Sequence, residues 1–404
     1  MRTAAVVTIG TELTTGLRQD TNGGAIARAL RDAGYHVESI TALPDDAAAV
    51  SVVLSALMAR CALVVVTGGL GPTHDDITRE AAAHALGRPL VRDAGIAVRL
   101  EDLARRHSAP DARERMLRQA DVIEGARVIG ATSGSAPGQV ITAGEGRLVL
   151  LPGPPAEMHP MLDEVLASES AFAPPVRFRC TGISESDAQA RVEPALADHP
   201  DVTLTLLAAP GEVEVVLFAP DAPASLQRAR QAVRAALGIA CFSEDGSSLP
   251  ETVIGLARRR GERLALAESC TGGMASASLT EVPGASEVFL GGVVSYADAL
   301  KSALLGVDAT VLATHGAVSE AAARAMAEGA LRLPGATLAA SVTGIAGPGG
   351  GTADKPVGLV WFAVAAADGP TIAAERLLLG DRAAIRTRAA ATLLDLLRLR
   401  MEGD

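Results

Sequence analysis

The sequence predicts an α/β chain: an N-terminal doubly wound, mostly parallel sheet, a small α+β middle domain, and a C-terminal α/β domain. Three observations predict it. Short aliphatic strands alternate with helical stretches at both ends of the chain, the pattern of parallel sheets covered on both faces. Glycine-rich turns follow several of those strands at once, and glycine makes up 41 of the 404 residues, an excess over the usual ~7%. Between the two ends, Pro174-Pro175 breaks the alternation and a β-α-β-β-α pattern takes over. At about 150 residues per domain the length gives two or three domains, with boundaries expected at 1–170, 171–245 and 246–404.

The elements follow in order. Val6–Ile9 reads as a strand, and Asn22–Ala33 as a helix stopped by Gly34. Ala62–Thr67 is a continuous apolar run ending in Gly-Gly, as in a strand buried on both faces. Asp76–Leu86 looks helical and stops at Gly87; Leu148–Leu151 is a further buried strand. In the middle part Val176–Cys180 alternates like a strand, Ser186–Leu196 is helical, and Val202–Leu207 with Glu212–Phe218 forms a hairpin around Pro210-Gly211. Ala224–Leu237 is an amphipathic helix. This part carries no catalytic constellation and reads as a structural module. Ser243–Leu249 is a polar linker. Beyond it come strands at Leu264–Ala267, Val288–Tyr296, Leu338–Val342, Val357–Ala366 and Thr371–Leu379, then a last helix at Arg382–Arg400.

Composition narrows the function classes. Apolar residues are 49%, charged 21% and aromatic 2%, so the cores are built from Ala, Val, Leu and Ile. The net charge is −11, the wrong sign for a general nucleic-acid or membrane-surface binder. No apolar run reaches the ~18 residues of a membrane span. The first residues read as a strand rather than a secretory signal; a cytoplasmic location is expected. The four cysteines, Cys61, Cys180, Cys241 and Cys270, form no Cys-x-x-Cys, so neither a zinc knuckle nor a disulfide scaffold is indicated. Only two lysines occur, Lys301 and Lys355, against 34 arginines. A retained lysine suits chemistry that a guanidinium cannot do, such as giving up its proton.

Two regions carry chemistry. In the first, Thr67-Gly68-Gly69-Leu70-Gly71-Pro72-Thr73-His74-Asp75-Asp76 links a buried strand to a helix. The amides of Gly68, Gly69 and Gly71 could grip a phosphate, helped by the following helix. Asp75 and Asp76 beside that anion make sense if a divalent metal ion bridges them to it; one of them could instead cap the helix. Glu12, just past the first strand, is a metal ligand, an acid/base or an exposed loop carboxylate. Leu151–Met158 forms a rigid Pro/Gly wall.

In the second region, Glu268-Ser269-Cys270-Thr271-Gly272-Gly273 leads from a strand into a helix whose amides could hold an anion or oxyanion. Cys270 has no nearby His or basic run to support a thiolate. Ser286, Tyr296 and Lys301 bring hydroxyl, phenol and amine into one strand–helix unit, and a lysine can serve as the base that a serine needs. Thr343-Gly344-Ile345-Ala346-Gly347, inside a stretch of five glycines in nine residues, reads as backbone wrapped round a ligand. Lys355 could meet a phosphate, as could one of Arg382 or Arg386.

On Ile9–Asn22, Thr67–Thr78 and Leu151–Met158 the first region resembles the molybdopterin-binding (MoCF-biosynthesis) domain, in the version found in the competence/damage-inducible CinA family. The third region resembles that family's C-terminal nicotinamide mononucleotide deamidase domain. The resemblance implies a bifunctional hydrolase of pyridine-nucleotide salvage. Nicotinamide mononucleotide would be deamidated to nicotinate mononucleotide and ammonia without a cofactor, and ADP-ribose would be split into AMP and ribose 5-phosphate with a divalent metal. It implies Ser286 as nucleophile, Lys301 as its base and Tyr296 as proton-transfer aid. Ser269, Thr343 and one of Arg382 or Arg386 would position the nucleotide, and the protein would be a homodimer. Two other readings stay open: deamidation alone with a nucleotide-binding first domain, or a non-enzymatic scaffold linked to competence or DNA repair.

Overall fold

The computed structural model describes residues 2–107, 110–131, 134–167, 174–219 and 221–403. They divide into two compact units, Met1–Pro174 and Pro175–Asp404. The expected boundary at 170/171 lies outside the described residues.

In the first unit the strands are β1 (Arg2–Ile9), β2 (Tyr35–Leu43), β3 (Leu63–Thr67), β4 (Leu90–Arg92), β5 (Asp121–Ile123), β6 (Arg127–Ile129), β7 (Gly138–Ala143) and β8 (Gly146–Leu151). Six of them form one sheet in the order β2-β1-β3-β8-β7-β6. The first four run parallel, and β7 and β6 add an antiparallel edge. Each residue of β3 is buried, as its unbroken Leu-Val-Val-Val-Thr run requires. Alternate residues feed two cores: Val64 and Val66 pack toward the Ala47–Met58 helix, Leu63 and Val65 toward Asn22–Asp32 and Pro155–Leu166. The helix after the glycine loop starts at Thr78 rather than Asp76, because Asp76 is held in the loop itself. Gly87 ends it at φ +63°.

The second unit holds two sheets. The first contains β9 (Val176–Cys180), β10 (Thr203–Ala209), β11 (Glu212–Phe218) and β12 (Cys241–Ser243), in the order β10-β11-β9-β12 and antiparallel throughout. The second contains β13 (Leu264–Glu268), β14 (Phe289–Val294), β15 (Leu338–Gly344), β16 (Leu359–Ala366) and β17 (Ile372–Leu377), in the order β14-β13-β15-β16-β17. Strands β14, β13 and β15 are parallel, while β16 and β17 run antiparallel. Leu264 and Leu266 pack beneath the Leu249–Arg260 and Arg382–Glu402 helices. Ala265 and Ala267 face the Asp298–Leu305 and Glu320–Leu331 helices.

The two sheets share one compact unit, although the sequence separates them at 245/246. The polar stretch read as a linker holds a capping box, in which Ser248 and Glu251 exchange hydrogen bonds at the start of the Leu249–Arg260 helix. The β10–β11 turn abuts the last helix so closely that a Cβ on Gly211 would lie 2.7 Å from that of Ala391. Buried Arg398 donates to Asp395 at 2.9 and 2.7 Å, to Glu402 at 2.6 Å and to the Ile239 carbonyl at 2.7 Å. It thereby ties the last helix to the turn before β12. Burial pushes the Asp395 carboxyl up, and Arg398 pulls the other way. Breaking a buried pair from one side strands a charge, so Arg398→Ala is expected to cost about 3–5 kcal/mol. The double change Arg398→Leu/Asp395→Leu is expected to cost less, a ranking that urea unfolding checks.

Candidate functional sites

The first unit has a cleft of about 440 Å³ at the carboxyl ends of β1, β3 and β8. Glu12, Asp75, Asp76, Gly68, Gly69 and the Gly153-Pro154-Pro155 wall all line it, as does Arg18, which the sequence reading passed over. Gly68 sits at φ +100°, and a Cβ there would meet the Ile9 carbonyl at 2.3 Å. Asn22 donates to the Gly153 carbonyl at 2.7 Å, closing the cleft across two strand ends.

The loop spends much of its own hydrogen-bonding capacity. Asp76 accepts from the Gly71 amide at 2.7 Å and from the Thr73 amide and hydroxyl at 2.7 and 2.6 Å. The Gly68 amide donates to the Leu151 carbonyl at 3.1 Å. Two of the three glycine amides expected to grip phosphate are therefore engaged within the fold. Buried Arg79 holds the Leu70 and Gly71 carbonyls from behind. Among the described residues, no group of three His, Cys, Asp or Glu is placed to hold a metal ion. Glu12, Asp75 and Asp76 share the cleft without forming a ready-made ligand set. What remains fits a cation bound by one or two carboxylates together with phosphate oxygens of a ligand.

In the second unit the parallel register builds the site. Glu268 pairs with Val294 on one side and Val342 on the other. Two further ladder bonds continue it: Ser295 N–H to the Glu268 carbonyl at 2.8 Å and Ser269 N–H to the Val342 carbonyl at 3.0 Å. The next row across the three strand ends is therefore Ser295, Ser269 and Thr343. By alternation these side chains share the face of Ala265 and Ala267, the face covered by the Asp298–Leu305 helix. Lys301 is the buried residue of that helix beside Leu305, 1% exposed. Its Nζ donates to the Ser295 carbonyl at 3.1 Å, to the Tyr296 carbonyl at 3.4 Å and to Asp298 Oδ1 at 3.1 Å. Lys301 Nζ thus reaches the sheet edge at which Ser269 follows β13, although no hydrogen bond joins the two side chains.

Ser286 does not. It lies before β14, whereas Tyr296 and Lys301 lie after it. Six strand residues at ~3.3 Å each separate the two ends by roughly 20 Å. Neighbouring Glu287 pairs with Arg258 at 3.1 Å, and Val288 accepts from the Leu264 amide at 2.7 Å. These contacts anchor Ser286 at the amino edge. The expected Ser286–Lys301 dyad is therefore not formed within the chain.

The remaining candidates divide. Glu268, fully buried, accepts from the Gly273, Ala275 and Ser276 amides at 3.0, 3.2 and 2.8 Å and from the Ser276 hydroxyl at 2.6 Å. This carboxylate occupies the helix N-terminus that Gly272 and Gly273 were expected to offer an anion. Arg386 donates to the Cys270 and Thr271 carbonyls at 3.2 and 2.8 Å and braces the same turn. Arg382 donates to the Gly347 carbonyl at 2.7 Å and to the Tyr296 hydroxyl at 3.1 Å. Thr343 donates to the Ala317 carbonyl at 2.8 Å. At Gly344 a Cβ would sit 2.8 Å from the Leu359 carbonyl, so this glycine serves sheet packing. Lys355 is spent on the His315 and Val318 carbonyls, both at 2.7 Å, rather than poised for a phosphate. The Thr271 hydroxyl is buried without a hydrogen-bond partner.

The comparisons agree with this two-part plan. The family model for the CinA C-terminal domain matches residues 246–401, and that for a probable molybdopterin binding domain matches residues 5–171. A CinA-like protein of Acidobacterium capsulatum is 38% identical over 98% of this chain and 99% of its own length. A putative competence-damage inducible protein of Symbiobacterium thermophilum is 41% identical over 99% of each. A crystal structure of a competence/damage inducible protein from Agrobacterium tumefaciens is 42% identical, covering 38% of this chain and 93% of its own, with a TM-score of 0.37. The architecture is that of a molybdopterin-binding-type domain followed by a CinA C-terminal domain. The chain belongs to the CinA family.

Cys270 adjoins Ser269 but makes a poor nucleophile, since burial pushes its thiol up to about 11. Alkylation of Cys270 in the folded protein is therefore expected to stay slow at pH 7–8 and to rise as the pH approaches about 11. In urea it should follow an ordinary thiol near 8.5. Peptide mass spectrometry after iodoacetamide checks this; rapid labelling of the folded protein at neutral pH would contradict it.

Proposed function

We propose that the second unit hydrolyses the carboxamide of nicotinamide mononucleotide to nicotinate mononucleotide and ammonia, with Ser269 rather than Ser286 as nucleophile. The observation that carries this reading is that Lys301 Nζ reaches the sheet edge at which Ser269 follows β13. Lys301 would act as the base that takes the proton from Ser269 Oγ as that oxygen attacks the carboxamide carbon. The ammonium so formed returns a proton to the departing nitrogen, which leaves as ammonia. Water, deprotonated by the same amine, cleaves the resulting ester. The unpartnered Thr271 hydroxyl is a donor suited to the oxygen that gains charge. Exposed Arg382 would leave the Gly347 carbonyl and Tyr296 hydroxyl it now holds to meet the nucleotide phosphate, while Arg386 would keep the turn in shape.

For the first unit we propose binding of ADP-ribose by its pyrophosphate and hydrolysis to AMP and ribose 5-phosphate. A divalent cation held by Asp75 and Glu12 together with phosphate oxygens would neutralise the charge that builds there. Arg18 would pair with the anion, and Asp76 would keep the glycine loop closed. The size of the cleft and its position beyond the strand ends support this.

Ammonia release tests the first proposal. Lys301→Met is expected to lower kcat by about 10²–10⁴-fold and Ser269→Ala to abolish turnover, whereas Ser286→Ala should retain it. Loss in Ser286→Ala with retention in Ser269→Ala would reverse the assignment. For the first unit, AMP formation is expected to stop on chelation and return with added divalent cation. Unchanged AMP formation in a Glu12→Gln/Asp75→Asn protein would remove the metal reading.

A further inference from the structure

Cys180 ends β9 and Cys241 opens β12, and the two stand directly opposite each other in the antiparallel ladder. The Thr181 amide donates to the Ala240 carbonyl at 2.9 Å, so Cys180 and Cys241 are a non-hydrogen-bonded pair. Such pairs bring their Cα atoms to about 4.5 Å, with both side chains on one face. A disulfide closes without backbone movement over roughly 4.4–6.8 Å. Both residues are free thiols, Cys180 0% and Cys241 4% exposed. Their surroundings differ. Cys241 lines an open cleft of about 300 Å³ together with Arg234 and Ser243, and as a thiol it donates to the Ser243 carbonyl at 3.4 Å. The Cys180 thiol hydrogen-bonds to Cys241 and pulls its pKa down; burial opposes this and the Arg234 guanidinium adds to it. The same contact, together with burial, pushes the Cys180 thiol up. The sulfur that reaches the cleft is therefore the better nucleophile of the two.

We propose that Cys180 and Cys241 are a redox-sensitive pair that a small hydroperoxide closes into a cross-strand disulfide. With hydrogen peroxide, the deprotonated Cys241 sulfur attacks one peroxide oxygen and becomes a sulfenic acid. The O–O bond breaks, and the hydroxide released takes up the Cys241 proton. The Cys180 sulfur then attacks the sulfenic sulfur. The S–S bond forms, the S–O bond breaks, and the departing hydroxide leaves with the Cys180 proton as a second water. Two thiols and one hydrogen peroxide thus give one disulfide and two waters; each sulfur loses one electron and the peroxide gains both. The bond pins β12, a three-residue edge strand, to β9. That strand follows the turn whose Ile239 carbonyl accepts from Arg398 of the last helix.

The test adds hydrogen peroxide to the reduced, folded full-length chain, blocks the remaining thiols with iodoacetamide in urea, and maps the tryptic peptides by mass spectrometry. A linked Cys180–Cys241 peptide is expected, which dithiothreitol separates and which forms equally in a Cys61→Ala/Cys270→Ala protein. A cross-link between residues already opposed in the fold constrains mainly the unfolded chain, so the oxidised protein should melt roughly 5–15 °C above the reduced one. Peroxide should give no such rise in Cys180→Ala. Alkylation of all four cysteines after peroxide, or conversion of Cys241 to a sulfinic acid without linkage to Cys180, would overturn the proposal. A linked peptide that forms only in urea-unfolded protein, or a melting temperature that falls on closure, would overturn it as well.

Discussion

The second site depends on the register of three parallel strands. Glu268, Val294 and Val342 lie in one row, and this aligns the residues that follow each strand. A slip of one residue would turn Ser269 toward the opposite face and away from the buried lysine. The small residues of β13, Ala265 and Ala267, let the helices on that face approach closely enough for Lys301 to reach the strand ends. The amine lies in a packed interior yet keeps three oxygen partners, as burial of such a group requires.

Glu268 supplies the second constraint. Its side chain points to the opposite face from Ser269 and caps the Met274–Thr280 helix. Its backbone carbonyl meanwhile joins β13 to Ser295. One residue thus fixes the direction of the turn that carries Ser269, Cys270 and Thr271. The first unit shows the same economy in Asp76, whose carboxylate folds the glycine loop from within. In both units an acidic residue beside a glycine-rich turn organises the backbone from within.

The alternation of buried strands and glycine-stopped helices made both α/β sheets legible, because unbroken runs such as Leu63–Thr67 have few other uses. Strand β2 escaped although Gly34 and Pro44 bound it, because beyond Tyr35 its residues are only half-buried or exposed and carry no continuous apolar run. The capping box at Ser248 was hidden in a stretch read only as polar. The misplacement of Ser286 had a visible remedy. A strand was expected between Ser286 and Lys301, and residues flanking opposite ends of a strand cannot meet. The helix capping by Glu268 and the orphaned Ser295 hydroxyl were not legible, since both emerge only once strands and helices are packed together.

The most direct measurement of the central claim is to acid-quench the protein during incubation with nicotinamide mononucleotide and to map any acylated peptide by mass spectrometry. The account predicts the ester on Ser269, at the carboxyl edge of the sheet. An adduct on Ser286 or on Cys270 would contradict it.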